Sequence, residues 1–430
     1  MVIQGKPVLR VPIFITCCLT ICVLWSQLAL AILRVPTDYE TIQAAIDAAD
    51  HGDTVLIAPG EYSGSIDFQA KQITVSSLFL ITSMREYIDS TKIIGTDDVS
   101  VISFSSQEDH SSRLCGVTVK GGRSGFGAGI YCGENSSPTI EYCRITDNIA
   151  TGLGGAIIAW QNSTPLLRYC EIYGNGANTG AGLVCRGDSR PILVNCVLTE
   201  NRAANDAGGI YCLSGGMPIV INSILWNNYP EEVLFKDTGR ENAIILAYCS
   251  LRAGVNGVVT EDNGEAEVQG GLIADDPRFA DPERNLFNLE WNSPCIDAGT
   301  TIFQIDGDTL LHMNEDQFLG ESVEIGAHEF DPNYAPPYPD TTIQSFFLQS
   351  IYPNPVNGII NINFSLLSAG YTLINLYDTN GRLIDRLQNS PMPTGHHTVT
   401  KNLESLNSGC YVLEVVSSGD TQTRNLMVIK

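Results

Sequence analysis

Four charged side chains recur at matched positions of a repeating block, and they are the first candidates for chemistry. Glu141 and Arg168 occupy one position of two successive repeats, and Arg144 and Glu171 occupy another. Paired carboxylates suit glycosidic hydrolysis, whereas an arginine base suits proton abstraction next to a sugar carboxylate. Glu141, Arg168 and Glu171 are therefore weak catalytic candidates, with Arg144 nearby. Salt bridges between neighbouring repeats explain the same pattern, and the sequence favours them.

Two further features suggest ligands. Trp160 stands where neighbouring repeats carry a small or polar residue, so its ring is a candidate platform for a sugar, although a tryptophan that packs a turn is commoner. Asp306 and Asp308, with Glu315 and Asp316 downstream, offer oxygen ligands for Ca²⁺. Because the spacing is not that of a full calcium loop, an acidic turn is favoured. We predict no required cofactor, with Ca²⁺ as an optional one.

The elements that must position these residues form a repeat of 26 or 27 residues. Each repeat holds a glycine-rich run, a proline-marked turn, a β-branched run and a closing asparagine. The closing asparagines are Asn148, Asn175, Asn201 and Asn228. Short apolar runs repeated at this length, without a helical period, predict a solenoid of stacked parallel strands. We expect the asparagines to form a stacked amide ladder with a structural role.

The cysteine positions indicate buried thiols rather than disulfides. One predicted row contains Cys115, Cys143, Cys170, Cys196 and Cys249, with Ser223 in the missing step. A second row contains Cys132, Cys185 and Cys212, interrupted by Ile158. Side chains at one register of adjacent parallel strands lie about 4.8 Å apart and point the same way, which is poor disulfide geometry. We therefore predict two ladders of free thiols in the core.

Charge and the N-terminus indicate the compartment. The chain has 24 basic and 48 acidic side chains, which argues against binding nucleic acid or an anionic membrane through a basic patch. Lys6 and Arg10, an apolar run over residues 11–25 and the small residues around Ala31 predict a signal peptide over residues 1–31. The apolar run is too short for a comfortable membrane span. The mature chain is therefore expected to be exported and to lack a transmembrane helix.

The pattern changes along the chain and predicts an all-β protein in two folded parts. Residues 32–330 are predicted as the solenoid with a closing segment, and a helix after a capping box at residues 37–40 covers its open end. Residues 331–345 form a stiff, proline-rich linker. Residues 346–430 alternate apolar and polar side chains, which predicts a small antiparallel β-sandwich.

Several motifs resemble known families. The repeats, with their Gly-Gly-Ile-Tyr runs and the Ser-Pro-Thr-Ile of residues 137–140, resemble the right-handed parallel β-helix of pectate-lyase-like proteins. Residues 276–282, 293–299 and 325–329 look like the closing segment of secreted bacterial β-helix proteins. The last part, beginning with Ile-Tyr-Pro-Asn-Pro-Val at residues 351–356, resembles the type A C-terminal sorting domain of the type IX secretion system.

The resemblance implies a route. The signal peptide would take the chain to the periplasm, and the outer-membrane translocon would recognise residues 346–430. The β-helix would then be secreted or attached to the bacterial surface.

Two functions follow from these observations. The favoured one is binding of polysaccharide or another surface polymer, which needs only a flat face with scattered aromatic and polar groups. The alternative is a polysaccharide lyase or glycoside hydrolase that acts along the groove of the helix. An enzyme needs at least three polar or charged side chains converging in a walled cleft, and residues 229–242 are the predicted wall. The sequence does not decide between them.

Overall fold

The computed structural model describes residues 30–330 and 346–430, except residues 97, 262, 316, 353, 355, 367–368, 379–380 and 418–419. The described residues divide into two compact units, 30–330 and 346–430. The predicted signal peptide, apart from Leu30 and Ala31, and the predicted linker lie outside the described residues.

The first unit is a parallel β-solenoid of about nine turns, and its strands stack into three faces and a short corner sheet. Face 1 contains Ile32–Val35, Thr54–Ile57, Thr74–Ser77, Arg113–Cys115, Thr139–Glu141, Leu166–Arg168, Ile192–Val194, Ile219–Ile221 and the first parts of Asn242–Leu251 and Gly264–Ile273. Face 2 contains Gly60–Ser63, Thr91–Ile94, Thr118–Lys120, Arg144–Thr146, Glu171–Tyr173, Val197–Thr199, Ile224–Trp226 and the ends of the same two long strands. The corner sheet contains Arg123–Phe126, Ile149–Leu153, Gly176–Thr179 and Arg202–Asp206. Face 3 contains Ile66–Asp67, Ile102–Phe104, Ile130–Cys132, Ile157–Trp160, Leu183–Arg186, Ile210–Leu213, Val233–Lys236 and Val258–Val259.

Each three-residue strand of faces 1 and 2 places its middle residue inside the solenoid. Ile140, Leu167 and Leu193 are register partners on face 1, and all three are fully buried in one core. Because side chains alternate along a strand, the residues on either side point outward. The repeat therefore fixes both the core and the set of outward positions on which a site can be built.

The bend between face 1 and face 2 uses the same backbone conformation in turn after turn. Six residues at this bend have a positive φ: Gly116, Tyr142, Tyr169, Asn195, Asn222 and Tyr248. The left-handed conformation is unfavourable for most side chains. It is tolerated here because the next residue then points into the core, where Cys143, Cys170 and Cys196 lie.

The predicted asparagine ladder is confirmed. Asn148 Nδ2 donates to Oδ1 of Asn175 at 3.0 Å, and the next two steps, to Asn201 and then to Asn228, are both 2.9 Å. The last amide, that of Asn228, donates to Oε2 of Glu232 at 2.6 Å. Burial raises the pKa of Glu232 to about 7, although its hydrogen bonds to Asn228 act against the rise. A buried carboxyl group therefore ends the ladder.

The prediction of free thiols is confirmed, with two errors of register. All ten described cysteines are unpaired, and every one except Cys410 is buried. Cys115 is not in the row of Cys143: its register partner is Glu141, and it packs outside the core. Cys115 precedes Cys143 by 28 residues, but the turn here is 26 residues long, since Leu114 pairs with Ile140, so Val117 takes the core position.

The second error concerns the row of Cys132 and Cys185. The residue between them is Ala159, which pairs in register with both cysteines. Ile158 was predicted there, but it is one position earlier and therefore belongs to the other set of side chains on the strand.

The capping helix is confirmed, but it begins later than predicted. The helix is Ile42–Ala48, and Ile42, Ala45 and Ile46 are buried in the solenoid core. Its N-cap is Thr41, whose hydroxyl accepts from the amide of Ala44 at 3.1 Å. The capping box predicted at residues 37–40 is therefore wrong, because the cap lies directly before the first apolar residue.

A second helical element was not predicted. Residues 78–90, called the insertion here, connect the face 1 strand Thr74–Ser77 with the face 2 strand Thr91–Ile94. They contain the helices Phe79–Thr82 and Glu86–Ser90. Phe79 and Ile88 pack on Cys115, so the insertion covers the bend between faces 1 and 2.

Residues 274–330, called the closing segment, cover the later turns. This segment contains the strand pairs Phe279–Asp281 with Leu286–Leu289 and Ile302–Ile305 with Asp308–His312. It also contains the 3₁₀ turn Pro282–Arg284. Another 3₁₀ turn, Gly254–Gly257, lies earlier, in the last turn of the solenoid. Outward aliphatic side chains of faces 1 and 2 are buried beneath it: Val194, Ile219, Ile221, Val197 and Ile224. Asn195 and Asn222, at the bend, donate to its backbone carbonyls.

The second unit is an antiparallel β-sandwich, as predicted. One sheet contains Phe346–Tyr352, Ile359–Leu366 and Gly395–Asn402. The other contains Leu383–Met392, Gly370–Asp378, Gly409–Ser417 and Asp420–Val428. Side chains from both sheets, including Ile362 and Leu413, form one core.

Candidate functional site

The predicted catalytic residues lie on two faces rather than one. Glu141 and Arg168 are register partners on face 1, whereas Arg144 and Glu171 are register partners on face 2. Glu141 forms an ion pair with Arg113 of the preceding turn. Glu171 forms one with Arg144 at 3.0 Å. The salt-bridge interpretation is therefore confirmed for Arg144 and Glu171, whereas Glu141 pairs with Arg113 and not with Arg168.

The carboxylate of Glu171 is the meeting point of three parts of the chain. The side chain is 1 % exposed, and Arg85 of the insertion lies 2.9 Å from its Oε1. His328 Nε2 of the closing segment also lies 2.9 Å from Oε1. Together with Arg144 from the neighbouring turn, these residues form what we call the clasp (Arg85, Arg144, Glu171 and His328).

Burial and the neighbouring charges favour one protonation state of Glu171 and His328 in the clasp. Burial alone would raise the pKa of Glu171, but Arg144, His328 and Arg85 lower that pKa well below its ordinary value. Burial lowers the pKa of His328 to about 4, and Arg85 acts in the same direction while Glu171 opposes it. At neutral pH Glu171 is ionised and His328 is neutral. Asn288 Nδ2 lies 3.3 Å from His328 Nδ1, which fits a tautomer whose Nε2–H faces Glu171.

A polar cleft of about 400 Å³ opens on face 2 beside the clasp. Three successive turns supply its floor, with side chains from Thr118–Lys120, Arg144–Thr146 and Glu171–Tyr173. Asp89 lines it from the insertion, and Asn285 lines it from the closing segment. The remaining lining residues are Lys92, Asp147 and Gly174.

Cations and anions alternate in the cleft. Arg144 forms an ion pair with Asp89, and Lys120 Nζ lies 3.1 Å from Asp147 Oδ2. The pKa of Asp89 is raised, because shielding from water outweighs the attraction of Arg144. Burial raises the pKa of Tyr173 to about 12, so its hydroxyl stays protonated at neutral pH. The cleft thus offers charged groups and hydroxyls to a polar ligand.

Comparison with known families identifies both units. Residues 128–275 match the family described as right handed beta helix region, and residues 350–430 match the secretion system C-terminal sorting domain. The chain carries a right-handed β-helix and a type IX sorting domain. Among curated proteins, none matches it at a significant level. The sorting domain indicates a secreted or cell-surface bacterial protein and implies interaction with the secretion system. No helix in the described residues is long and apolar enough to span a membrane.

Trp160 lies on face 3 of the β-helix, apart from the cleft. The guanidinium carbon of Arg186 is 4.6 Å from the centre of its ring, and the ring of Phe126 is 5.8 Å away. One part of the indole is therefore covered by a cation–π contact. A role in sugar stacking stays a prediction.

Asp306 and Asp308 lie in the second hairpin of the closing segment. Ile305 pairs with Asp308, so Asp306 and Gly307 form the turn, with φ values of 51° and 90°. Both carboxylates are exposed, and Asp316 lies outside the described residues. The described part of the chain contains no group of three or more His, Cys, Asp or Glu side chains that could hold a metal ion. Binding of Ca²⁺ stays a prediction.

The predicted wall at residues 229–242 is wrong. This stretch supplies Val233–Lys236, an ordinary strand of face 3. The walls of the cleft are the insertion and the closing segment. The insertion has a signal in the sequence: residues 78–81 form an apolar run in a turn that is 39 residues long from Thr74 to Arg113, instead of 26 or 27.

Proposed function

We propose that this secreted β-helix binds a polysaccharide or another surface glycan in the cleft on face 2. The observation that supports the proposal is the cleft itself, whose floor takes polar side chains from three successive turns. Adjacent parallel strands are about 4.8 Å apart. Different polar groups, such as Lys120, Thr146 and Tyr173, therefore recur at equivalent positions along the solenoid axis, an arrangement suited to a ligand that is itself a repeating polymer.

The chemistry of the lining fits a glycan. Lys120 and Lys92 provide ammonium groups for carboxylates or sulfates, while Thr146 and Tyr173 provide hydroxyls. A charge-assisted hydrogen bond contributes about 1.5–3 kcal/mol when it forms in a shielded site.

We expect Lys120→Ala to weaken glycan binding by about tenfold or more, because one charge-assisted contact of about 1.5 kcal/mol is lost. The measurement is affinity electrophoresis and calorimetry against neutral and acidic polysaccharides. Lys236→Ala is the matched control, since Lys236 lies on face 3, is 37 % exposed compared with 34 % for Lys120, and is likewise paired with carboxylates. Equal affinities of the two variants, or no retention of the wild type by any polymer, would contradict the proposal.

A second candidate function, glycoside hydrolysis, rests on two carboxylates in the same cleft. Asp89 has the raised pKa that suits a general acid, and Asp147 is held by Lys120. Hydrolases of glycosides use such a pair with unequal environments. Glu141 and Glu171, the residues proposed from the sequence, do not line the cleft.

If the protein is a hydrolase, Asp89→Asn and Asp147→Asn should each reduce the release of reducing ends by at least about 100-fold. Asp306→Asn is the control, because this carboxylate lies in an exposed turn. If Asp89→Asn and Asp147→Asn both release reducing ends as fast as the wild type, these residues are not the acid and the base. An unsaturated product in the same assay would indicate a lyase instead.

A further inference from the structure

The two walls of the cleft come from distant parts of the chain, and the clasp joins them. Arg85 belongs to the insertion, which also carries Asp89 of the cleft. His328 belongs to the closing segment, which also carries Asn285 of the cleft. Both reach the same oxygen of Glu171, which comes from the floor strand Glu171–Tyr173.

Additional contacts make this junction continuous with the cleft. Arg85 Nη1 donates to the backbone oxygen of Ala327 at 3.1 Å, so the insertion also bonds the closing segment directly. Arg144 pairs with both Glu171 and Asp89, and it lines the cleft. The hydroxyl of Thr118 donates to the backbone oxygen of Ile88 at 2.8 Å, which ties the insertion to the floor.

We propose that Glu171 is the positioning residue of the cleft, because it holds the insertion and the closing segment against face 2 and thereby sets the distance between the two walls. The consequence for glycan affinity rests on the proposed function. The consequence for the walls does not, because their closure can be measured without any glycan.

Glu171 is suited to this role by its charge and its burial. Removing one member of a buried charge cluster is strongly destabilising, since the remaining charges are left unpaired. Without the carboxylate, the guanidinium groups of Arg85 and Arg144 would face each other in a shielded space. The core would persist, because Ile145, Ile172 and Leu198 pack inside the solenoid, on the other side of the face 2 strands. The expected result is local opening of the walls.

Acid should open the same junction. The groups that face Glu171 and His328 from all packed elements are Arg85, Asp89, Arg144, Tyr173 and Asn288. The pKa of His328 is about 4 in the folded protein, below its ordinary value of 6.5. Its stabilising contribution is therefore complete above pH 6.5 and is lost as the pH falls through 4. The pKa of Glu171 is also lowered, so its contribution is lost in the same direction.

Two native cysteines report on the two walls. Cys115 is 1 % exposed and packs under Phe79 and Ile88 of the insertion. Cys295 is fully buried in the closing segment, against Ile325. In the wild type at neutral pH, only the exposed Cys410 should react rapidly with 4,4′-dithiodipyridine among the described cysteines. Peptide mass spectrometry identifies the labelled thiol.

In Glu171→Gln we expect Cys115 and Cys295 to react at least tenfold faster, while Cys143 and Cys170 stay protected. Affinity for the glycan bound by the wild type should fall by at least tenfold. Glu108→Gln is the control: Glu108 is 2 % exposed and bonded to Ala70 and Ser136, and it contacts neither wall. This control variant should leave the labelling rates of Cys115 and Cys295 and the affinity for the glycan as in the wild type.

Unchanged protection of Cys115 and Cys295 in Glu171→Gln would overturn the proposal, as would faster labelling with unchanged glycan affinity. A wild type that binds no glycan would refute the proposed function, while the labelling still decides the role of Glu171 in closing the walls.

If Glu171→Gln does not fold and all thiols react, the wild type is titrated with acid instead. Cys115 and Cys295 should then react before the core thiols, and His328→Gln should shift this opening to lower pH. If all thiols became reactive at the same pH, or if His328→Gln opened at the same pH as the wild type, the proposal that the clasp holds the walls would be contradicted.

Discussion

Replacing Asn175 by alanine should lower the free energy of unfolding of the β-helix by about 4 kcal/mol. Its Nδ2 donates to the backbone oxygens of Ile145 and Tyr173 and to Oδ1 of Asn201, at 2.8–3.0 Å. Its Oδ1 accepts from the amide and the side chain of Asn148. Alanine removes all five bonds; Asn201 Oδ1 keeps the backbone amide of residue 175 and Asn148 Nδ2 keeps two carbonyls, but the Asn148 amide loses its acceptor. Each buried group left unsatisfied costs about 1–3 kcal/mol. Some of this cost is recovered by relaxation of neighbouring ladder residues.

Urea unfolding followed by far-UV circular dichroism measures this loss. Asn178→Ala is the matched control from the same turn, because Asn178 is exposed and bonds only to the backbone oxygen of Thr151 in the described structure. We expect a change within about 0.5 kcal/mol for the control. Equal effects of the two substitutions would mean that the ladder does not stabilise the stack.

Glu232→Gln should stabilise the protein by about 3 kcal/mol at pH 8 and have little effect below pH 4.5. The pKa of Glu232 is about 7 in the folded protein, above the ordinary value of 4.5, chiefly because of burial. A raised folded pKa contributes stability that is complete below pH 4.5 and is lost as the pH rises through 7. The difference of about 2.5 pKa units corresponds to about 3 kcal/mol. Glutamine keeps an oxygen acceptor for Asn228 without the ionisation.

The free energy of unfolding, measured at several pH values between 4 and 8, tests this prediction. Glu265→Gln serves as the control, since Glu265 is exposed on the last strand of the solenoid, Gly264–Ile273. The free energy of unfolding of this variant should change with pH in parallel with that of the wild type. If Glu232→Gln also runs parallel to the wild type, Glu232 does not titrate in the way that its burial implies.

The fold could be predicted from the sequence because each turn repeats the same pattern of glycine, proline, β-branched and asparagine positions. Four asparagines at constant spacing predicted the ladder, and its bonds join the predicted residues. Register failed where the cysteines did not follow the repeat length: Cys115 precedes Cys143 by 28 residues, whereas the turn is 26 residues long, so Cys115 lies outside the core. A one-residue slip likewise put Ile158 in place of Ala159. Residues of one type therefore predict a row only where their separation equals the length of the turn.

The site was much less predictable than the fold. Glu171 was identified from its position in the repeat, but its partners Arg85 and His328 lie in non-repeating segments far away in sequence. Periodicity says which side chains point outward, and it carries no information on which outward positions a later segment will cover. For the same reason, Glu232 was missed: the end of a ladder needs an acceptor, and no repeat supplies it.

The closing segment also decides where the molecule can be shortened. Its removal at residue 273, the end of the last solenoid strand, would uncover a hydrophobic strip in two parts, Val194 with Ile221 on face 1 and Val197 with Ile224 on face 2. Contiguous apolar patches of this kind promote aggregation in soluble proteins. A recombinant fragment that ends at residue 330 keeps the strip protected, so protein engineering of this scaffold should treat the irregular residues as part of the folding unit.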